Sequence, residues 1–419
     1  MLFGNAIIGQ SGGPTSAINA TLSGAIRSCL ENKDTIKCLF GMKNGIEGLL
    51  REEFVDLFSF FKDEARLEIL EGTPSAFLGS CRVRLPSWNE NSELYERIFE
   101  IFKKHNIRYF FYIGGNDSMD TVAKLFEYAK GVDFDVKIIG LPKTIDNDLC
   151  LTDHTPGYGS CAKYIATTVE EIIRDVSVYT AKSVTIIEVM GRDAGWLGAS
   201  ASLCGRTNGK KVDLIYLPER AFFTPQFIND VKIALSKSQN ATVVVSEGLR
   251  YENGEYVSTD GKNGADAYGN NYLSGASRIL SELIKKEIGC KVRAIELSLP
   301  QRAGAHIASK TDILESIQIG QYAVRLALSG KSGVLPVMKR QDGAKYKIIL
   351  DCASAKEVAN KTKKLPPLFI NEAGNYVTSE FIDYILPLVE GEHYPCYKDG
   401  LPIHCVINRM GERNVQNRL

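Results

Sequence analysis

The stretch "FFYIGGNDSMDTVAKLF", residues 110–126, passes from an apolar run through two glycines into a segment with helical spacing. This order is typical of a β-strand, a tight turn and an α-helix in an α/β fold. Glycines at such a turn let the backbone approach an anion, and the N–H groups of the next helix favour negative charge. Asp117 lies where a phosphate is expected. It either modifies an anion site or has only a structural role, in which it caps the helix, as Ser118 could, or favours the positive end of the helix.

Similar apolar runs recur on both sides of this stretch. They include "NAIIG", "VKIIGLP", "SVTIIEVMG", "VDLIYLPE" and "ATVVVSEG", which lack the polar alternation of a half-exposed strand. Because segments with helical spacing separate many of them, the pattern predicts parallel strands covered by helices. Polar or glycine-rich segments follow several runs, and ligands bind at the carboxyl ends of parallel strands. The sequence therefore predicts an α/β fold with these segments meeting in one cleft.

Composition narrows the class of function. Of the 419 residues, 44% are hydrophobic and 24% are charged, and Lys+Arg equals Asp+Glu at 50 each. This balance provides no global positive field for nucleic acid or an anionic membrane. The ten cysteines have no C-x-x-C spacing and the five histidines have no metal-ligand spacing. With no signal-like N-terminus, we expect a cytoplasmic protein without a zinc site or a disulfide framework.

The segment "IIGQSGGPTSAIN", residues 7–19, repeats the order of strand, glycine turn and helix. Gly12 and Gly13 would admit an anion close to the backbone, and a tight turn without a ligand is the equally weighted alternative. The G-x-G-x-x-G turn of dinucleotide-dependent oxidoreductases is absent here, and the chain has no Walker A or G-x-S-x-G motif. The sequence therefore gives no support for a dinucleotide-dependent oxidoreductase, a P-loop nucleotide-binding protein or a serine hydrolase.

The segment "PKTIDND", residues 142–148, places Lys143 beside two carboxylates, Asp146 and Asp148. One carboxylate can accept a hydroxyl proton while the lysine neutralises charge on a transferred phosphoryl group. Magnesium commonly takes part in such reactions, held by one or two carboxylates and by substrate phosphates. An Asx turn explains "DND" alone but gives the lysine no role. Phosphoryl transfer is therefore the favoured interpretation.

Arginines beside glycine turns are further candidates for phosphate binding. Arg192 follows Gly191 in "MGRDAGW", and "RAIELSLPQRAG" adds Arg293 and Arg302. A lone arginine is usually a surface residue, but several of them at strand ends favour phosphate binding.

Two segments lack a clear pattern. Residues 251–275 are rich in glycine and asparagine, which predicts a long surface insertion or a mobile loop. The lysine run that opens "KTKKLPPLFINEAGN", residues 361–375, is interpreted as a solvated turn and not as a binding patch.

Taken in order, the segments "SGGPTSAIN", "GSCR", "GGNDS", "PKTIDND", "MGRDAGW", "LPER" and "VRAIELSLPQR" resemble the phosphofructokinase family. "HIASKTD" extends the resemblance to about residue 312. The resemblance implies an α/β fold of two Rossmann-like three-layer domains, with mainly parallel sheets and an active-site cleft between them. Residues 1–142 would bind the donor, residues 143–302 would bind the sugar phosphate, and residues 303–419 would return to the first domain and add a C-terminal extension.

The resemblance also implies residue roles. Asp146 matches the base that takes the proton from the 1-hydroxyl of fructose 6-phosphate, and Lys143 and Asp117 are the other catalytic candidates. The implied substrate contacts are Thr144, Ile145, Asp146, Asp148, Met190, Gly191, Arg192, Glu219, Arg293 and Arg302. The implied donor contacts are Gly12, Gly13, Arg82, Gly115 and Ser118. Mg²⁺ is the implied cofactor, with Asn116 at the metal position.

Asp117 and Lys143 indicate which phosphoryl donor is used. ATP-using members of the family resemble "GGDGS" and "PGTIDND", whereas diphosphate-using members resemble "GGDDS" and "PKTIDND". A carboxylate at Asp117 fills the room that the α-phosphate and nucleoside of ATP need, and it repels the additional phosphate. The resemblance thus implies reversible transfer between diphosphate and fructose 6-phosphate by a homo-oligomer, either dimer or tetramer.

The alternatives are an ATP-dependent phosphofructokinase and a non-catalytic sugar-phosphate-binding protein. Asn116 suggests the second of these, because it replaces the first acid of "GGDDS" with an amide that ligates metals without charge. The intact base, Asp146, argues against it. Leu299 also departs from the family, in which a polar or aromatic residue often contacts the sugar.

Overall fold

The computed structural model describes residues 2–207, 209–258, 275–343 and 345–407. Most of the stretch 251–275, predicted to be an insertion or mobile loop, lies outside these ranges. Within them, no helix combines the length and the apolar character needed to cross a membrane.

The β-strands of the described chain are β1 (Gly4–Gln10), β2 (Ile36–Met42), β3 (Phe54–Asp56), β4 (Ile107–Gly114), β5 (Lys137–Pro142), β6 (Ser183–Val189), β7 (Leu214–Tyr216), β8 (Asn240–Ser246), β9 (Lys291–Glu296), β10 (Ala308–Ser309), β11 (Val334–Arg340), β12 (Ile348–Ser354), β13 (Glu392–His393), β14 (Tyr397–Lys398) and β15 (Leu401–Pro402).

Its α-helices are α1 (Ile18–Glu31), α2 (Gly45–Leu50), α3 (Leu57–Phe60), α4 (Glu64–Glu71), α5 (Ser92–Lys104), α6 (Asn116–Gly131), α7 (Tyr158–Ser177), α8 (Trp196–Ser200), α9 (Thr224–Lys237), α10 (Ala276–Ile288), α11 (Pro300–Ala303), α12 (Lys310–Leu328), α13 (Ala355–Val358) and α14 (Ser379–Ile385). Short 3₁₀ helices span Ala201–Leu203, Ala305–Ile307, Pro367–Phe369 and Leu386–Val389.

The larger sheet has seven strands in the order β12-β11-β5-β4-β1-β2-β3. Its central strands are parallel, and β3 and β12 are antiparallel strands at the two edges. The register pairs Gln10 with Ile113 and Gly114 with Pro142, so β1, β4 and β5 end side by side. The segments that follow these three strands therefore begin at the same edge of the sheet.

The smaller sheet has four parallel strands in the order β7-β8-β6-β9. Val189 pairs with Ser246, which places the residues after β6 and β8 next to each other. Both sheets thus follow the prediction of mainly parallel strands in an α/β fold.

Strand side chains alternate between two apolar layers of the larger sheet. Ile7 and Phe110 pack in one buried cluster with residues of α5 and α6, whereas Ile8 and Phe111 pack in another with residues of α1 and α12. All four are fully buried. Burial of each large apolar side chain contributes about 1.5–3 kcal/mol, which explains why these runs show no polar alternation. The sheet is therefore the middle of three layers, as predicted.

Helix α12 returns the chain to the larger sheet by packing closely against α1. A Cβ atom on Gly24 would lie 2.0 Å from the carbonyl oxygen of Ile317, and one on Gly320 would lie 2.1 Å from that of Thr21. Larger residues at these positions would force the helices apart. Strands β11 and β12 then extend the sheet beside β5. The boundaries at residues 142 and 302 remain our proposal for dividing the chain into domains.

Candidate active site

A cavity of about 730 Å³ lies where the carboxyl ends of the two sheets face each other. Most residues predicted from the sequence line it. They are Gly12, Gly13, Arg82, Gly115, Asn116, Asp117, Ser118, Lys143, Thr144, Ile145, Asp146, Asp148, Met190, Arg192 and Arg302.

The turn after β1 forms one wall of the cavity. Gly12 has a φ of +73°, and its N–H donates to the carbonyl of Cys81 at 3.0 Å. Ser80 Oγ donates to the Gly12 carbonyl at 2.6 Å. A Cβ atom on Gly13 would lie 3.1 Å from Arg302 Nη1. Because these glycines have no side chains, an anion could approach the backbone here and also contact the Arg302 guanidinium.

The turn after β4 leads directly into α6. Gly115 is the N-cap residue and no side chain caps the helix, so the prediction that Ser118 caps it is wrong. Asp117 does not cap it either, but lies in the first turn, where a negative charge favours the positive end of the helix. Ser118 lies in the first turn, where its hydroxyl hydrogen-bonds to that of Ser11. These two hydroxyls join the two glycine turns at the cavity wall.

Asp117 and Arg84 form what we call the cavity mouth. Their side chains are 55% and 69% exposed and form an ion pair at 2.9 Å. Exposed ion pairs contribute only about 0–1 kcal/mol, so this one adds little to the stability of the fold.

Lys143 and Asp146 form what we call the cavity floor. The Lys143 N–H donates to the carbonyl of Gly114 at 3.0 Å, and its Nζ donates to the carbonyl of Gly13 at 2.6 Å. The residue is 3% exposed. Burial lowers the pKa of Lys143 to about 8, although Asp146 and Asp148 act in the opposite direction. Lys143 thus joins the two glycine turns, with its backbone at the second and its ammonium at the first.

Thr144 orients Asp146. The Asp146 N–H donates to Thr144 Oγ1 at 3.1 Å, and Thr144 Oγ1 lies 3.4 Å from Asp146 Oδ2. Burial and the neighbouring Asp148 raise the pKa of Asp146 above the usual range of a carboxyl. A carboxylate with a raised pKa and access to a cavity is suited to accept a proton.

The opposite wall comes from the smaller sheet. Gly191 has a φ of +126°, its N–H donates to Glu247 Oε1 at 3.3 Å, and Ser246 Oγ donates to its carbonyl at 2.6 Å. The Met190 N–H donates to Gln301 Oε1 at 3.1 Å. Gly191 itself lies behind the lining, where it shapes the turn that presents Met190 and Arg192.

Glu247 is a cavity residue that the sequence interpretation missed. Burial raises its pKa to about 8, and Asp146 adds to this effect. The available signal was its position directly after the apolar run of β8, at the same sheet edge as Met190.

Besides Gly191, two other predicted substrate contacts, Glu219 and Arg293, lie outside the cavity lining. Glu219 Oε1 accepts hydrogen bonds from the N–H groups of Gly195 and Leu365, at 2.8 and 2.9 Å. Arg293 lies on β9, with its guanidinium 5.7 Å from the ring centre of Tyr179. The structure does not bring either residue together with the others.

Asn116 and Asp148 fit a magnesium site. Asn116 Nδ2 lies 3.4 Å from Asp148 Oδ2, and Asn116 Oδ1 is buried without a hydrogen-bond partner in the described part of the chain. An unsatisfied amide oxygen beside a carboxylate is a suitable pair of ligands for a hard cation. Within the described ranges, no group of three or more His, Cys, Asp or Glu residues is arranged to hold a metal ion.

The C-terminal part of the chain also reaches the cavity. Asn360 and Thr362 line it. The prediction that residues 361–375 open as a solvated turn is wrong for Lys363, whose ammonium makes three hydrogen bonds to neighbouring groups.

Comparison with known proteins agrees with this geometry. The model of the phosphofructokinase family matches residues 5–327. The chain belongs to the phosphofructokinase family. This match spans the cavity residues from both sheets.

Phosphofructokinase relatives of similar length match almost the whole chain. The pyrophosphate–fructose 6-phosphate 1-phosphotransferase of Halomonas elongata is 38% identical over 417 residues, 99% of this chain and 98% of the relative. The protein of the same name from Xanthomonas campestris is 40% identical over 405 residues, 96% of each chain. The crystal structure of a pyrophosphate-dependent phosphofructokinase from Nitrosospira multiformis superposes with a TM-score of 0.87 at 36% identity, covering 96% of each chain.

Proposed function

We propose that this phosphofructokinase transfers a phosphoryl group from diphosphate (pyrophosphate) to the 1-hydroxyl of fructose 6-phosphate. The products are fructose 1,6-bisphosphate and phosphate, and the reaction runs in both directions. The names and near-complete coverage of the relatives support this activity.

The observation that carries the choice of donor is the position of Lys143. Its ammonium lies beside the Gly12–Gly13 turn and on the cavity floor, where the leaving phosphate of a short donor would sit. A cation at this point stabilises the charge that develops on the leaving group.

Asp146 acts as the general base. Its carboxylate accepts the proton of the 1-hydroxyl as the hydroxyl oxygen attacks the terminal phosphorus of diphosphate, and the bond to the bridging oxygen breaks. Phosphate leaves toward Lys143. In the reverse direction the protonated Asp146 returns the proton to the sugar oxygen.

The remaining lining residues divide between the two substrates. Gly12, Gly13, Arg82, Gly115 and Ser118 surround the donor on the side of the larger sheet. Thr144, Ile145, Met190, Arg192 and Arg302 contact the sugar phosphate. Glu247 joins this second group, because a buried carboxyl group at the wall can form a hydrogen bond with a sugar hydroxyl.

Mg²⁺ is the proposed cofactor. Asn116 and Asp148 would hold it together with oxygens of diphosphate, and the bound ion would neutralise part of the donor charge.

We also propose a homo-oligomer, a dimer or a tetramer. In such an oligomer Arg293 would lie at a contact between copies, because β9, which carries it, is an edge strand of the smaller sheet. Light scattering after gel filtration measures the oligomeric state.

A coupled assay of the purified protein tests the donor. Fructose 1,6-bisphosphate should form rapidly from fructose 6-phosphate with diphosphate and magnesium, and much more slowly with ATP. Equal or faster turnover with ATP would support the ATP-dependent alternative, and absence of turnover with both donors would support the non-catalytic one.

A further inference from the structure

Lys363 lies behind the catalytic segment and contacts it at several points. Its Nζ donates to Asn147 Oδ1 at 3.1 Å and to the carbonyl oxygens of Thr152 and Asp153 at 3.1 and 2.9 Å. Its backbone N–H donates to the carbonyl of Asp148 at 2.7 Å. An enclosed ammonium needs all of its donors satisfied, and these three acceptors satisfy them.

Trp196 contacts both the backbone and the ammonium group of Lys363. The indole Nε1–H donates to the Lys363 carbonyl at 3.0 Å, and Lys363 Nζ lies 5.0 Å from the indole ring centre. The backbone and the side chain of Lys363 are therefore both held, although the residue is only partly buried. An exposed lysine in a solvated turn would have none of these restraints.

Asn147 connects Lys363 to the catalytic segment through a side-chain hydrogen bond. It is fully buried and has a φ of +53°. Asparagine adopts this left-handed conformation more readily than most residues, but it still costs free energy, which the contacts of the side chain offset. Its Oδ1 accepts from Lys363, and its Nδ2 donates to the Tyr384 hydroxyl at 3.0 Å. That hydroxyl donates in turn to the carbonyl of Asp153 at 2.8 Å.

The conformation of Asn147 determines where its neighbours point. Asp146 and Asp148 line the cavity, whereas Asn147 between them points to the opposite side, toward Lys363 and Tyr384. Losing either contact would free the left-handed residue to relax, which would move both aspartates.

We propose that Lys363 is a positioning residue for phosphoryl transfer, holding Asn147 so that Asp146 and Asp148 face the cavity. The C-terminal segment thereby completes a site whose reacting groups all come from earlier in the chain. This inference rests on the proposed function.

The test is the kinetics of Lys363→Met, which keeps the length of the side chain but removes its donors. Displacing a catalytic group by about 1 Å can cost 10²-fold in rate. We expect kcat with diphosphate to fall about 10²-fold. The KM for fructose 6-phosphate should change less than about threefold, because Met190, Arg192 and Arg302, which lie outside this segment, still contact the sugar phosphate. Lys361→Met is the matched control, since Lys361 is exposed and outside the cavity lining, and it should retain the wild-type kcat.

Two further variants keep the test decisive. Lys363→Arg retains charge and donors and should recover part of the lost kcat. Tyr384→Phe removes the other tether of Asn147 with little change in packing, and should lower kcat by about tenfold. It serves as the test if Lys363→Met does not fold.

The proposal is overturned by a wild-type kcat in the folded Lys363→Met or Tyr384→Phe variant, by a loss confined to KM, or by an arginine variant no better than methionine. The wild-type protein is assayed first with both donors. Activity with ATP alone would reject diphosphate as the donor, and the variants would then be compared with ATP. Inactivity with both donors would overturn the proposed function and this inference together.

Discussion

The charged residues of the cavity floor are buried or partly buried, whereas those of the cavity mouth are exposed to solvent. On the floor, Lys143 is 3% exposed, and burial alters the pKa values of both Lys143 and Asp146. At the mouth, the side chains of Asp117 and Arg84 are 55% and 69% exposed. A charge acts strongly on its neighbours where water is excluded, whereas water screens an exposed pair. We therefore expect the floor to control the rate and the mouth to control donor choice mainly through its volume.

The largest effect should come from the base on the floor. Asp146→Asn keeps the size of the side chain but removes its ability to accept the hydroxyl proton, and general-base catalysis is worth about 10²–10⁴ in rate. We expect kcat with diphosphate to fall by this factor in steady-state assays, with an unchanged circular dichroism spectrum. Near-normal turnover would show that another group is the base.

The cation on the floor should come next. Lys143→Met removes a charge that stabilises the leaving phosphate, and the loss of one such group costs about 10²–10³ in rate. Activity with diphosphate should fall accordingly, and ATP should gain little because methionine fills the same space. The exposed Lys130, changed to methionine, is the control. A large gain in ATP turnover would instead assign Lys143 a role in excluding nucleotides.

The same lysine should limit activity at alkaline pH. Burial lowers its pKa to about 8, so the ammonium is present below that value and is lost as the pH rises through it. The value of kcat/KM for diphosphate should fall about tenfold for each pH unit above about 8. Lys143→Arg keeps its charge because the guanidinium pKa exceeds about 12, so the fall should move to higher pH. An identical fall in this variant would place the titration elsewhere.

The smallest effect should come from the mouth. Asp117→Asn keeps the volume and removes the charge, so the ratio of ATP to diphosphate kcat/KM should change less than about fivefold, the equivalent of ~1 kcal/mol for an exposed pair. Asp117→Gly removes both volume and charge and should raise the ratio further. Equal ratios for the two variants would mean that charge alone excludes ATP, and no change in either would leave Asp117 without a role in donor choice.

The larger sheet and the floor were predictable because their signals are local. The apolar runs of β1, β4 and β5 show no polar alternation, since both faces are buried, and each run ends at a glycine or proline before its functional segment. Lys143, Asp146 and Asp148 lie within one short segment, so their proximity follows from chain connectivity.

Other parts of the site depend on packing between distant segments. Glu247 directly follows an ordinary buried strand, and only the register of β8 beside β6 places it near Gly191. Lys363 belongs to a lysine run of the kind that is usually solvated, and its burial depends on Trp196 and Asn147. The motif containing Glu219 matches the family, yet the fold uses that carboxylate to bind two backbone N–H groups. Residue type alone does not distinguish these outcomes.

The return of the chain to its first sheet has a consequence for folding during synthesis. Strand β5 pairs with β11, and the whole smaller sheet is encoded between them. The smaller sheet can therefore assemble on the ribosome while one edge of β5 still has no neighbour. Long-range strand pairing is slow, and an open strand edge invites association with other chains. The nascent chain is thus most vulnerable to aggregation in the interval before β11 and β12 emerge and cover that edge.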